Sequence, residues 1–439
     1  MAAEGHQTLR EAYGESSRNR RHRPDPDRRY RVTTNQPFTE PIEMAPHLSG
    51  CPYDSYARLR EAGGAHQAVK PSGGQVWVIS RYDDVKALLS DPRMSIEARN
   101  SRHGYQGFGL PPALDEHLMN VDDQAHARLR RLVSSAFTPR RVEAQRERVE
   151  AAVDRLVAAI VPNGRADLVA ELAVPTPVVV ICGLLGIPES DGAAFQAYTR
   201  SLMTPNDPNR PSTRDLVAGM HACLVALINR KRTEPADDLL TAMITARDGD
   251  DRLTENELTS LAFLILWAGF ETTVHLISNA MATVLSEPGL ANLVREEPDP
   301  HTPRMAALVE ELLRRDGPML TAIRRFPLED LRVGERVVPA GDTVLLAIGS
   351  ANRDPQYITN PDAIDLDRAS SGHLGFGHGP HYCLGAPLAR MEVRTALWTA
   401  VRRLPNLRLA IPEQELPWKP DHRQHALTEL PVTFAAQPA

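Results

Sequence analysis

From about residue 45 onward, apolar residues recur mostly at helical spacing, with short alternating stretches between the helices. A helix is expected over Tyr53–Ala62, followed by strands at Ala68-Val69 and Val76–Ile79 and a helix over Tyr82–Leu89 that starts from Ser80. The strand assignments rest on β-branched and aromatic alternation bracketed by Ser72-Gly73-Gly74. Residues 95–120 are irregular, and a loop this long inside a compact domain is usually functional. Residues 141–245 are mostly helical, with an amphipathic stretch at Val142–Ile160 and an apolar one at Pro175–Leu185. The Pro/Asn cluster from Thr204 to Pro211 cannot be helix interior and reads as a loop between two helices. Leu253 to Ser286 reads as one long helix, with Thr254 and Glu257 forming a capping box. After Gly317-Pro318 an extended segment, Met319–Phe326, leads to Val337–Ile348, which alternates as strand around Pro339-Ala340-Gly341-Asp342. The predicted class is mainly α with a small β part.

No long Gly/Ser or acidic linker divides the 439 residues after about residue 45, so 46–439 is expected to form one large unit. Residues 1–45 are rich in Arg, Pro, Asp and Thr, with a basic cluster at Arg18, Arg20, Arg21, Arg23, Arg28, Arg29 and Arg31. Such a stretch buries too little apolar area to offset its ordering entropy, which predicts a mobile, solvated arm; nucleic-acid or partner binding is the alternative. The formal net charge of −6 argues against a general nucleic-acid binder. Four scattered cysteines without a CxxC pair suit reduced thiols in a cytoplasm. The longest apolar run, Leu261–Gly269, is too short to span a bilayer, and the N-terminus is polar, so a cytoplasmic protein without a membrane anchor is expected.

The chemistry concentrates in Leu374-Gly-Phe376-Gly377-His-Gly-Pro-His381-Tyr-Cys383-Leu-Gly385-Ala-Pro-Leu-Ala-Arg390. Gly375, Gly377 and Gly379 precede Cys383 and Gly385 follows it, a density that lets a large flat ligand approach the backbone. From Leu384 onward the composition turns helical, which puts Cys383 at the mouth of a helix N-terminus. The dipole and free N–H groups there stabilise a thiolate, a soft, strongly donating ligand for iron. A zinc site from His373, His378, His381 and Cys383 is the competing reading, and it leaves the Phe-Gly-x-Gly frame unexplained.

Phe376-Gly-x-Gly-x-His381-x-Cys383-Leu-Gly resembles the haem-binding loop of the cytochrome P450 family, in which this Cys is the axial iron ligand. Four further motifs occur in the family's order, and the resemblance runs from about residue 45 to the C-terminus. His126 and Arg130 lie four apart on one helix face and match the family's pair of propionate ligands. In Ala268-Gly269-Phe270-Glu271-Thr272-Thr273 an acid and two hydroxyls interrupt an apolar helix. A Thr there bonds the i−4 carbonyl, here Ala268, and Gly269 leaves room beside the backbone for dioxygen and water. Glu271 and Thr272 match the family's acid–alcohol pair, with Phe270 where His is often found; an ion pair between Glu271 and His275 is the structural alternative. Glu311 and Arg314 form the Glu-x-x-Arg pair, which in the family joins an Arg of a later loop. That position is Ala363, followed by Ile364 where Phe is expected, which leaves Arg353 and Arg368 as possible substitutes. Arg325 matches a further propionate-binding Arg, with Arg324 a one-residue alternative.

The resemblance, closest to soluble bacterial members of actinomycete type, implies a prism-shaped fold around one haem b held by Cys383. It implies an enzyme that activates O2 and hydroxylates or epoxidises a lipophilic small molecule, such as a macrolide or other polyketide. Glu271 and Thr272 would handle protons, and the N–H groups of Leu384 and Gly385 would tune the thiolate. Phe263, Trp267, Leu320, Ile323 and Leu427 are expected as apolar walls, the loop at 204–211 as a lid, and 425–434 as a closing hairpin whose tip touches substrate. No flavin or nicotinamide domain is present, so electrons are expected from a ferredoxin and an NAD(P)H-dependent ferredoxin reductase. The ferredoxin would dock on a basic face of Arg128, Arg131, Arg390 and Arg394 of a monomer. A haem-binding but catalytically silent adaptor that recruits another enzyme is the rival function.

Overall fold

The computed structural model describes residues 41–105, 110–188, 211–248, 251–368 and 372–437. The basic arm up to residue 40 and the expected lid from 204 to 210 lie outside the described residues. The described part, within Gln36–Ala439, is built from a small sheet and a large helical body.

The sheet begins earlier than expected. Strand β1 (Ile42–Glu43) runs parallel to β2 (Ala65–Val69), which pairs antiparallel with β3 (Gln75–Ile79). The fourth strand, β4 (Val344–Leu346), lies parallel to β3 with Val344 opposite Trp77. Two helices flank this hairpin in sequence, α1 (Tyr53–Glu61) and α2 (Tyr82–Ser90). The alternating stretch at 337–348 divides between two sheets, because the turn at 339–342 separates β4 from Arg336–Val338, which pairs with Leu331–Val333. The segment 425–434 likewise does not pair with itself. Leu427 bridges to Trp418, and Pro431–Thr433 lies between Arg408–Leu409 and Arg165–Asp167.

The helices that position the site are α3 (Asp123–Ala136), α4 (Arg146–Ile160), α5 (Pro175–Leu184), α6 (Thr213–Thr233), α7 (Glu255–Ser286), α8 (Pro303–Asp316) and α9 (Ala386–Arg403). The amphipathic stretch from Val142 is broken at Ala144-Gln145, and the irregular region after residue 95 contains, among the described residues, a 3-10 turn at Ala98–Asn100 and a helical turn at Pro112–Asp115. The long helix starts as the capping box dictates: Glu257 N–H donates to Thr254 Oγ1 at 3.2 Å, and Thr254 N–H to Glu257 Oε2 at 2.8 Å. α7 is long and apolar enough to cross a membrane, but most of it is covered by its neighbours α5, α6, α8 and α9. It is the central core helix against which the helical body packs, while two smaller apolar clusters fill the two sides of the sheet.

α8 ends in an ion-pair knot. Arg314 chelates Glu311 at 2.9 and 3.0 Å and donates to the carbonyls of Asn352, Pro361 and Ala363. Arg368 Nε completes the set at 3.2 Å from Glu311 Oε2, where Asp365 N–H also donates at 3.0 Å. The loop position at Ala363 therefore contributes its backbone carbonyl, and the second guanidinium comes from Arg368. Arg353 is engaged elsewhere, with Asp316 at 2.7 Å, Asp362 at 3.0 Å and the ring of Tyr53.

Both Glu311 and Arg314 are almost wholly buried, so removing one partner strands a charge. Arg314→Ala is expected to cost about 3–5 kcal/mol in denaturant unfolding, and Arg368→Ala about 1–2 kcal/mol. A double-mutant cycle checks the assignment: Arg368→Ala couples to Glu311→Gln, whereas Arg353→Ala and Glu311→Gln add.

Candidate active site

The loop before α9 is shaped by glycines at two left-handed positions, Gly377 at φ +77 and Gly379 at φ +72. A Cβ on Gly379 would also meet Ser90 at 2.9 Å, so this turn packs directly on the end of α2. Cys383 N–H donates to Phe376 O at 2.9 Å and closes the loop, while Leu374 N–H donates to the side chain of Asn352 at 2.7 Å. Glu310 clamps the loop to α8: Arg390 of α9 chelates it at 2.6 and 2.8 Å, and the His373 ring approaches it at 3.0 Å. The Arg390 guanidinium also stacks 4.5 Å from the centre of the Phe376 ring. Glu310 and Asn352 escaped the sequence reading, and Arg390 was assigned there to a docking face instead of this clamp, since their partners are remote in sequence and no local spacing marks them.

Cys383 is accessible to solvent and at the same time deep within the protein mass. Burial raises its pKa above the ordinary thiol value, against the pull of the Gly385 N–H, Arg130, Arg390 and the Ala386 N–H. The Gly385 and Ala386 N–H groups at the helix mouth favour the thiolate against burial, and a metal cation bound to the sulfur would add to them. The N–H groups that act on the sulfur include the expected Gly385 and, beside it, Ala386.

His126 and Arg130 on α3, Arg325 and His381 converge beside this loop. The rings of His126 and His381 are 4.1 Å apart, Arg325 is buried, and Arg130 is close enough to Cys383 to feel its charge. His126 Nε2 is buried without a hydrogen-bond partner among the described residues. Burial pushes the His381 pKa down to about 3, helped by His126, Arg325 and Arg130. Burial likewise pushes Arg325 down to about 10 against the pull of Asp122. Two desolvated guanidiniums and two imidazoles that burial keeps neutral, gathered in one place, call for an anionic partner. A ligand with carboxylates at its edge and a metal for the thiol at its centre fits this donor set, and haem is such a ligand. Arg324 points away from the cluster, to Asn120 at 3.0 Å and over the Tyr105 ring.

On α7, Thr272 Oγ1 donates to Ala268 O at 2.7 Å, the expected i−4 bond. Gly269 does not leave open space: a Cβ there would sit 3.2 Å from Ile181 of α5, so the missing side chain lets α5 approach. Phe270 is buried in the helical core. Glu271 is held below the ordinary carboxylate pKa: burial raises it, but His275, Gln424 and Lys419 outweigh burial. Its distance to His275 is 3.9 Å, longer than a hydrogen bond.

Of the expected wall residues, Phe263 and Trp267 form a ring pair 5.9 Å apart, Ile323 is partly exposed next to the arginines, and Leu427 is buried in the helical core. Leu320 packs into the sheet-side cluster against Gly349, which makes it a core residue. The expected basic docking face is largely compensated internally. Arg128 is chelated by Asp251 and Glu257 at 2.6 Å each, Arg390 by Glu310, and Arg394 donates to the carbonyl of Arg390. Among the described residues no group of three or more His, Cys, Asp or Glu is gathered as a metal site, and His373 belongs to Glu310. The zinc reading has no geometry behind it.

The cytochrome P450 family model matches residues 209–435. The cytochrome P450 monooxygenase PikC of Streptomyces venezuelae is 41% identical over 406 residues, covering 92% of this chain and 96% of PikC. Mycinamicin IV hydroxylase/epoxidase of Micromonospora griseorubida is 37% identical, over 86% of this chain and 94% of its own. The solved structure of the ligand-free P450 monooxygenase TamI superposes with a TM-score of 0.82 at 38% identity, covering 90% of this chain and 94% of TamI. The chain belongs to the cytochrome P450 family. It is accordingly a P450 monooxygenase, haem is the family's cofactor, and a silent adaptor finds no support among these hydroxylating relatives.

The Glu310 clamp gives a pH signature. Its pKa is lowered from 4.5 to about 2, because Arg390 and His373 outweigh the opposing effect of burial. A depressed carboxylate contributes stability that is fully present above pH 4.5 and lost as pH falls through about 2. Glu310→Gln is expected to lower the apparent Tm at pH 7, with the gap to wild type closing between those limits.

Proposed function

We propose that this chain binds haem b through Cys383 and uses it to hydroxylate or epoxidise a lipophilic secondary metabolite of polyketide or macrolide type. The observation that carries the reading is the convergence of four basic side chains, one with an orphaned buried nitrogen, beside the loop of Cys383. His126, Arg130, Arg325 and His381 would hold the propionates, and Phe376, Gly377 and Gly385 would let the macrocycle lie close to the loop. When bound, the haem supplies the activation of dioxygen and the transfer of one oxygen atom to a C–H or C=C bond.

The protein's own part is proton handling, orientation and exclusion of water. Thr272, anchored on the Ala268 carbonyl, presents its hydroxyl oxygen as a hydrogen-bond acceptor and its proton as exchangeable. Glu271, ionised at neutral pH, accepts protons from solvent and returns them toward Thr272. Trp267 and Ile323 would face the substrate, with Phe263 and Leu427 backing them. The mycinamicin IV hydroxylase/epoxidase relative supports either outcome on one scaffold. Electrons would come from a ferredoxin and its NAD(P)H-dependent reductase.

The carbon monoxide complex of the reduced protein is expected to show the red-shifted Soret band of a thiolate-ligated haem, and Cys383→Ser to lose it. A His-type band in the wild type would refute the assignment. Thr272→Ala is expected to keep that band while product formation falls by roughly 10²-fold, with the reducing equivalents recovered as peroxide.

A further inference from the structure

Helix α7 carries a second buried titratable group that oxygen activation does not use. His275 stands one turn beyond Glu271 and is fully buried, and neither ring nitrogen has a hydrogen-bond partner among the described residues. Leaving a buried polar group unmade is costly. The nearest carboxylate oxygen is Oε1 of Glu271, 3.9 Å from His275 Nε2, a gap that a small side-chain rotation closes to a hydrogen bond.

The other groups that face His275 come from the C-terminal segment. They are Lys419, Asp421 and His425. The same segment acts on Glu271, with the Gln424 side chain as a hydrogen-bonding group and Lys419 as a nearby positive charge. Its placement is rigid. Asn279, one turn past His275, donates to the carbonyls of His425 at 2.9 Å and Asp316 at 3.1 Å. The His425 ring stacks on Trp418 at 3.8 Å, with its Nδ1 3.0 Å from Gly50 O, and Lys419 N–H donates to Ala426 O at 2.8 Å. One face of α7, with Glu271, His275 and Asn279 spaced four apart, therefore lies against a fixed polar loop whose outer residue, Asp421, is partly exposed.

Burial keeps His275 neutral at pH 7, against the pull of Glu271, while Lys419 adds to the effect of burial and Asp421 opposes it. A neutral imidazole beside an ionised carboxylate offers an N–H to the carboxylate and a lone pair on the other side. We propose that His275 is the positioning residue of Glu271, holding its carboxylate and passing protons to it from the C-terminal loop around Lys419, Asp421 and Gln424. The inference rests on the reading of Glu271 and Thr272 as the proton-delivering pair. In each cycle Nδ1 of His275 takes up a proton handed in from the loop as Nε2 releases its own to the Glu271 carboxylate, which passes it to Thr272 and is again ionised. His275 is left neutral as its Nδ1–H tautomer, and a ring flip restores an N–H toward Glu271, so that one proton from water is delivered per cycle.

The test uses the full-length holoenzyme with its haem loaded. With 13C-labelled histidine in the diamagnetic ferrous carbon monoxide form, the His275 resonance is assigned by its loss in His275→Leu. Its titration midpoint is expected to move to lower pH in Glu271→Gln and to higher pH in Lys419→Met; a midpoint that ignores both changes overturns the proposal. Product formed per NAD(P)H consumed is then followed against pH. His275→Leu is expected to lose coupling as Glu271→Gln does, with the double variant no worse than Glu271→Gln alone. If His275→Leu keeps the wild-type profile while Glu271→Gln uncouples, or if the two losses multiply, the link is refuted and the acid–alcohol reading stands. If Glu271→Gln and Thr272→Ala both couple like wild type, it is the underlying reading that fails.

Discussion

Two adjacent carboxylates on one helix hold this site together. Consecutive helical residues project roughly 100° apart, so Glu310 and Glu311 of α8 reach different loops. Glu310 grips the Cys383 loop through Arg390 and His373, and Glu311 grips the 352–368 segment through Arg314 and Arg368. Each is desolvated, and each is kept ionised by guanidinium partners. Asn352 joins the two halves, since its carbonyl accepts from Arg314 and its side chain accepts from Leu374 N–H. A rigid α8 is thus what keeps a glycine-rich loop, intrinsically costly to order, in one conformation.

The opposite electrostatic problem sits on the other side of the loop. His126, Arg130, Arg325 and His381 crowd together with Asp122 as the facing carboxylate among the described residues, and burial works against every positive charge in the group. That is a poor arrangement for a free-standing protein interior and a good one for a ligand that brings its own carboxylates. It also places the thiol of Cys383 under positive potential from Arg130 and Arg390, which favours the thiolate once a metal replaces the proton.

The C-terminal segment has a double duty. It contributes Leu427 to the core under the site and brings Lys419, Asp421 and Gln424 behind Glu271. Its attachment through Asn279, His425 and Gly50 ties the acid on α7 to the part of the chain that closes the molecule.

Much of this was legible in the chain itself. The Cys loop, the capping box at Thr254, the i−4 bond of Thr272 and the pairing of Glu311 with Arg314 are local, because each depends on residues within about one or two turns. Helix periods likewise follow from spacing, and their ends differed from expectation by a residue or two where caps compete. What spacing could not carry is any contact between segments far apart. Arg368 rather than Arg353 closes the ion-pair knot, because the loop's path, and not its composition, brings that guanidinium to Glu311. Gly269 looked like room for a ligand and proved to be room for Ile181. Two of the four arginines expected to greet a partner, Arg128 and Arg390, are bound by Asp251, Glu257 and Glu310, carboxylates some 80 to 130 residues away. By itself the sequence determined the helical frame and the local bonds of Thr272 and Glu311, since local geometry sets these, and its family resemblance singled out Cys383 and the Glu271–Thr272 pair as candidates. Tertiary structure alone decided which charges are spent on one another and which remain for a ligand, because burial and long-range pairing set the electrostatics of a site.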